Sequence, residues 1–470
     1  MISANRIAFF LICATLVFTT VAYGGVHQPV LAIFYLLVAA IAISFAVQGL
    51  RTGVLPVDQS LLQLPIFGAA IYGFIQIIPF GHFAGAAGVE GIARTISVDP
   101  FSTQINAFHF LALSILFSSV LMAIDSASRI RKFTTLIVVF GFVFAFYAIL
   151  QSFLSPNLIY GIYGSPYASP FGSFVNRNNS AAFLEMSICV PLGLLFAGSI
   201  SRDKRLVLIT AISLMGIALI LSGSRGGFVA MLAGLIVLVI LTRTSHGRKQ
   251  FILRVSLAAA LVLTIVGGAI LVGGENSLSR FAETAQSNDA TSSRVYIWKV
   301  TLKVIAANMP FGAGLGAFGT AFTPFDTNGG LLRIEQAHND YLQIASDAGV
   351  VGIVLGGGFL FLLIRTGIRS SATRNSYRRG VAVGAFAGCC SILIHSLFDF
   401  VLHTTALSIL FLMLTALIVA SGRKYQDDVE DEKSDRRKRS KATVRRIHDR
   451  HGLDGILSPR PPEPLPPHEA

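Results

Sequence analysis

Leu206–Leu221 reads LVLITAISLMGIALIL; after Ser222-Gly223-Ser224-Arg225-Gly226-Gly227 the chain resumes as FVAMLAGLIVLVIL over Phe228–Leu241. Two apolar runs are thus joined by six residues that hold a single arginine. Each run approaches the roughly 17–25 residues that cross a bilayer's hydrocarbon as a helix. The pattern recurs near 6–23, 30–48, 60–80, 105–125, 133–154, 178–200, 206–222, 227–242, 251–272, 341–364, 380–398 and 404–420, which predicts about twelve transmembrane helices. Of 470 residues, 53% are hydrophobic and 13% charged, with a mean hydropathy of +0.68. A soluble protein of this length needs far more surface charge. Lipid offers backbone groups no partners, so only helices and closed barrels span it; long runs without alternation select helices. The expected fold class is an all-α integral membrane protein.

Lys and Arg in the short loops set the orientation. Alternate loops carry Arg129, Arg131 and Lys132; Arg202, Lys204 and Arg205; Arg243, Arg248 and Lys249; and Arg369, Arg374, Arg378 and Arg379. These are expected in the cytoplasm, with both termini. The intervening loops, poor in cations, face outward. The first span follows Arg6 and is read as a retained anchor, because the charge pattern needs it. Residues 1–420 form the expected membrane domain. Within it, 273–337 is a large outward loop with helical structure of its own. Residues 421–470 mix acidic, basic and Pro-rich stretches and are expected to be a disordered cytoplasmic tail. The net charge of +13 is spread among inward loops, a topology signal that argues against nucleic acid as partner. Cys13, Cys189, Cys389 and Cys390 all fall in apolar spans, with no disulfide or zinc spacing.

Two elements of the large loop stand out. Val295, Trp298, Leu302 and Ile305 recur at helical spacing, which fits a helix on the membrane surface or one packed on other loop segments. Pro310-Phe311-Gly312-Ala313-Gly314-Leu315-Gly316 contains a nucleotide-binding spacing by chance; without a βαβ context, a tight turn permitting close backbone approach is the better reading.

Polar residues that bear chemistry gather on the outward side. His338 lies in Glu335-Gln336-Ala337-His338-Asn339-Asp340-Tyr341, where the loop meets an apolar span. A neutral imidazole there can take a proton from a sugar hydroxyl. Arg225 sits at a bilayer edge between glycines, where an arginine is costly and wants an anionic partner. Arg294 lies in Ser292-Ser293-Arg294-Val295-Tyr296. Guanidinium groups grip phosphate oxygens bidentately, so a pair of them suits a pyrophosphate. Asn176, Arg177 and Asn178 form an outward polar cluster. His395 and Asp399, four apart, share a face if helical; Asp399 then orients an imidazole, binds a sugar, or pairs locally with His395 to hold the helix end. Asp347, two turns into its span, must face protein or water.

At Gly172–Asn178, Ser222–Gly227, Arg294–Trp298 with Pro310–Gly314, and Ala337–Gln343, the chain resembles the bacterial O-antigen ligase and O-antigen/exopolysaccharide polymerase superfamily. The resemblance covers roughly residues 155–400. It implies a GT-C-like, metal-independent, inverting glycosyltransferase of the bacterial inner membrane that needs no cofactor. The donor it implies is a glycan on undecaprenyl pyrophosphate. The acceptor is the lipid A core for a ligase, the favoured form, or a second lipid-linked glycan for a polymerase. By the same resemblance Arg225 and Arg294 bind the donor pyrophosphate and His338 activates the acceptor. Asn176, Arg177, Asn178, Asn339, Tyr341 and Asp399 are candidates for support or glycan binding. A flippase for lipid-linked oligosaccharides is the alternative from another class; it predicts charges at mid-membrane.

Overall fold

A computed structural model describes residues 4–54, 57–82, 93–165, 168–242, 288–328 and 333–423, with Tyr425 and a few positions between 255 and 268. The chain divides into two units, Met1–Gly422 and Arg423–Ala470, and the first carries everything below. Its helices are α1 (Ala4–Val21), α2 (Gln28–Thr52), α3 (Gln63–Gln76), α4 (Pro100–Ala123), α5 (Ala127–Leu154), α6 (Arg177–Phe196), α7 (Arg202–Leu221), α8 (Arg225–Thr242), α9 (Asn288–Asn308), α10 (Phe318–Phe322), α11 (Asp340–Ser371), α12 (Ser376–His395) and α13 (Thr405–Gly422). The only strands among the described residues are β1 (Gly81–His82) and β2 (Ala93–Arg94), an antiparallel pair with Gly81 opposite Arg94.

Among the described residues, nine helices are long and apolar enough to cross a membrane: α2, α4–α8 and α11–α13. The expected count of twelve divides accordingly. At 6–23 stands α1, whose apolar stretch is shorter. At 60–80 stands α3, only 14 residues, or roughly 21 Å of helix against a hydrocarbon core of about 30 Å. It stops where Gln76 turns to bind loop backbone: Nε2 donates to the carbonyls of Phe311 and Asp347, and Oε1 accepts from Leu315 N. The span expected at 251–272 lies largely outside the described residues, as do Arg243, Arg248, Lys249 and most of the expected tail.

Helix packing without a hydrophobic drive rests on close van der Waals approach and small residues. Helices α6 and α12 show it. A Cβ on Gly193 would lie 2.3 Å from Gly380 O, and one on Gly384 would lie 2.6 Å from Cys189 O. These two helices and α13 are the buried centre; α2, α7 and α11 keep most of their surface outward. Alternation of direction brings one set of helix ends together. Ser173 Oγ donates to Thr20 O, Gln151 Oε1 accepts from Gly172 N, and Thr405 Oγ1 donates to Gly25 O. Val98 N donates to Ala313 O. Arg129, Arg131, Lys204, Arg205 and Arg369 belong to the opposite helix ends. The cation pattern in the sequence therefore marks one end of the bundle.

The span expected at 341–364 runs from Asp340 to Ser371 and is broken at Gly349, with φ 57° and ψ −141°. Only glycine adopts that conformation readily. Pro310 presses on the break: Val350 N donates to Pro310 O, and a Cβ on Gly349 would meet that oxygen at 2.2 Å. Ala313 N and Gly314 N donate to the carbonyls of Ser346 and Asp347, and Gly316 N to the Asp347 carboxylate. The glycine-spaced stretch is thus a strap against α11, as the tight-turn reading expects. Asp347 faces protein, also taking Gln343 Nε2.

Of the two expectations for the loop helix, packing on other loop segments is present. Ile297, Val300 and Val304 of α9 pack with Ala313, Phe318, Ala321, Phe322 and Ala337. The stripe picked out in the sequence is the other face: Val295 and Leu302 are exposed. The helix carries two apolar stripes, and the one with partners in its own loop is buried.

Candidate functional site

Asp399 is the hub of the site. Helix α12 ends at His395, and a turn closed by Asp399 N on His395 O sets the carboxylate at the bundle end. It is 3% exposed, while its two cationic or imidazole partners are each about one-third exposed. Oδ1 meets His338 Nδ1 at 3.2 Å and accepts from Phe400 N at 3.0 Å. Oδ2 accepts from Arg294 Nη2 at 3.3 Å and from the amide of Asn178. Burial alone would raise this carboxyl. The hydrogen bond with His338 and the charges of Arg294, His338 and His395 outweigh it and hold it at about 2. Asp399 is therefore an anion at any working pH.

His338 precedes α11, whose N-cap is Asn339; the Asn339 side chain accepts from Tyr341 N and Leu342 N. Its backbone has φ 50°, in the left-handed region. A non-glycine residue held there costs on the order of 1–3 kcal/mol and concentrates at functional sites. The ring stands edge-on to Phe400, centroids 4.8 Å apart. With Nδ1–H directed at an ionised carboxylate, the tautomer leaves Nε2 as the acceptor. That is the orientation a general base needs.

Arg225 opens α8. Ser224 caps the helix, its Oγ accepting from Gly227 N, and is itself fixed by Ser222 Oγ. The Ser-Gly-Ser-Arg-Gly-Gly stretch is thus a capped helix start. Arg225 Nη2 is buried and finds no hydrogen-bond partner among the described residues. An unpaired buried guanidinium nitrogen is costly, and an anion is what satisfies it. The helix start adjoins the hub region on two sides. A Cβ on Gly226 would lie 3.0 Å from His395 Nε2, and one on Gly223 would lie 3.5 Å from Arg177 Nη1.

Sequence candidates therefore separate. His338, Arg294 and Asn178 all meet Asp399 directly, while Arg177 lies against the Gly223 turn that leads into Arg225. Asn176 caps α6 through Asn178 N. Asn339 is a cap whose amide donates to Leu397 O, and Tyr341 hydroxyl donates to Leu393 O; both secure the frame. The expected pairing of His395 with Asp399 is not made. His395 is buried against Glu185, Nδ1 lying 3.2 Å from Oε2. The helix ends at His395, so the four-residue spacing no longer puts the two side chains on one face. Glu185 was missed, although a lone carboxylate in an apolar run is the signal that finds such residues. A second contact was also missed: Asp340 Oδ1 with His403 Nδ1 at 2.8 Å.

The arrangement offers an imidazole turned by a buried carboxylate and guanidinium groups at the same end of the bundle. A search of curated proteins finds no match to the chain. Residues 210–356, which include Arg225, Arg294 and His338, match a family model described as O-antigen ligase. Over those residues the chain is similar to the O-antigen ligase family, which supports its resemblance to the O-antigen ligase/polymerase superfamily.

Proposed function

We propose that the protein transfers a glycan from undecaprenyl pyrophosphate to a sugar hydroxyl at the periplasmic face of the bacterial inner membrane, as an O-antigen ligase acting on lipid A core. The observation that carries the reading is the His338–Asp399–Arg294 contact, together with the unsatisfied Arg225 nitrogen at the start of α8. The family match supports glycan transfer of the ligase or polymerase type.

In the proposed reaction Arg225 and Arg294 bind the donor pyrophosphate. Arg294 spends one nitrogen on Asp399 and has further donors for phosphate. His338 Nε2 takes the proton of the acceptor hydroxyl as its oxygen attacks the anomeric carbon. The bond from that carbon to the pyrophosphate oxygen breaks, configuration inverts, and undecaprenyl pyrophosphate departs with the electron pair. Fixed guanidinium groups stabilise the charge that grows on the leaving group. Asp399 stabilises the imidazolium, which then loses its proton to water. No metal or nucleotide enters the scheme.

Purified protein in nanodiscs, given a lipid-linked glycan and core-only lipopolysaccharide, is expected to form a covalent glycan–core product. Movement of the lipid-linked glycan across the bilayer without a product would support a flippase instead. A deletion strain separates the enzyme forms. Full-length polymer stranded on undecaprenyl pyrophosphate marks a missing ligase; single repeat units alone mark a missing polymerase.

A further inference from the structure

Two short segments exchange partners at the start of α11. His338 reaches Asp399, and Asp340 reaches back to His403, so 338–340 and 399–403 each contribute one imidazole and one carboxylate. The two pairs are built alike. Both carboxylates are 3% exposed and both imidazoles 32% exposed. In each, Nδ1 faces the buried carboxylate, which directs Nε2 away from it.

The segments that His403 joins are held together by other bonds as well. The same segments are already tied by Asp340 N to Ser396 O at 2.9 Å, by Leu402 N to Asp340 Oδ2 at 3.1 Å, and by Asn339 Nδ2 to Leu397 O at 2.9 Å. None of these needs an imidazole. The surroundings of the two rings differ. His338 shares its carboxylate with Arg294 and Asn178. His403 lies within electrostatic range of His109 on α4 and of Asp347. His109 Nδ1 is 3.2 Å from the Tyr35 hydroxyl of α2 and packs against that ring, centroids 6.0 Å apart. Phosphate is served by the arginines on the first side. Imidazole, phenol and aromatic faces on the second suit a hydroxylated, uncharged ligand, because hydroxyls both donate and accept.

We propose that His403, held by Asp340, is a second ligand-facing imidazole and hydrogen-bonds a hydroxyl of the sugar that accepts the transferred glycan. The inference rests on the reading of the protein as a glycan-transferring enzyme. It gives the acceptor two histidine–aspartate pairs at the α11 start, His338–Asp399 at the reacting hydroxyl and His403–Asp340 at a second one.

The test uses full-length protein in nanodiscs, with core-only lipopolysaccharide and excess lipid-linked repeat unit as two separate acceptors. KM for acceptor, KM for donor and kcat are measured for wild type, His403→Ala, His403→Gln and Asp340→Asn. His403→Ala is expected to raise acceptor KM by about 10- to 100-fold, the range of a lost hydrogen bond to a polar or charged group. Donor KM should stay within about threefold, since the phosphate contacts are elsewhere. His403→Gln, which keeps an amide for hydrogen bonding, should recover part of the loss, and Asp340→Asn should follow His403→Ala. His403 is partly exposed, so its variants are expected to fold even where Asp340→Asn does not. An unchanged acceptor KM in His403→Ala, or a fall confined to kcat, overturns the inference alone. Wild-type protein that transfers to neither acceptor overturns the functional reading beneath it.

Discussion

His338 and Asp399, sixty-one residues apart, meet through Nδ1 and Oδ1 at 3.2 Å, and the carboxylate is ionised and buried. The contact fixes which imidazole nitrogen keeps its proton. It also links the residue before α11 to the turn after α12, so the imidazole and its carboxylate come from segments distant in the chain.

Asp399→Asn keeps the shape but removes the anion that selects the tautomer. Transfer is expected to fall roughly 10²–10⁴-fold, measured as kcat on purified protein. A pH series tests the same carboxylate. Its folded pKa of about 2 lies below the unfolded value of about 3.9. Its contribution to stability is thus complete above pH ~4 and lost as pH falls towards ~2. The melting temperature of wild type should drop across that acid window by more than that of Asp399→Asn. Equal acid sensitivity of the two would show that the carboxylate is not held low.

Arg225→Ala should separate stability from activity. The side chain leaves a buried nitrogen unsatisfied, so its removal relieves a cost. Transfer and retention of the lipid-linked donor should fall at least about 100-fold, as for a lost charge-assisted contact. The melting temperature should stay level or rise. Arg225→Lys and Arg294→Lys should recover little, because lysine lacks the planar fork. Normal transfer by Arg225→Ala at normal expression would remove the residue from the site.

Gly349→Ala should fail to accumulate as folded protein. The new Cβ would lie 2.2 Å from Pro310 O in a backbone conformation closed to other residues. The expected loss is about 3 kcal/mol or more, the sum of strain and overpacking. Gly356→Ala is the control, since nothing lies within 4 Å of its Cβ position. Equal yields and melting temperatures would contradict the strap between Pro310 and the α11 break.

Sidedness is tested by cysteine labelling. In a cysteine-free background, Asn328→Cys in the large loop should react with an impermeant reagent in intact spheroplasts. Ser376→Cys, at the cation-rich end, should react only after lysis. The reverse pattern would invert the topology and remove the proposed chemistry.

Much of the scaffold was legible because hydropathy is a local property. The starts of α6, α8 and α11 follow from Asn176, Ser224 and Asn339, each an N-cap side chain one residue before its helix. The site was legible as a set of residues and not as a set of contacts. His338, Arg294 and Asp399 stood out singly, but 105 residues separate Arg294 from Asp399, and no local pattern encodes that meeting. His395 and Asp399 show the converse failure. Their four-residue spacing implied a shared face, and the end of α12 between them undid it. In α9, two apolar stripes competed, and only the partners Phe318 and Phe322 decide which one is buried.

The most direct measurement is transfer and donor retention by purified His338→Ala and His395→Ala proteins. His338→Ala should keep its fold and its lipid-linked donor and lose roughly 10²–10⁴ in transfer, the range of a missing general base. His395→Ala leaves Glu185 buried without its partner and should melt lower, with near-normal transfer per folded molecule. Wild-type transfer by His338→Ala, or loss of transfer by folded His395→Ala alone, would contradict the assignment of His338 as the base.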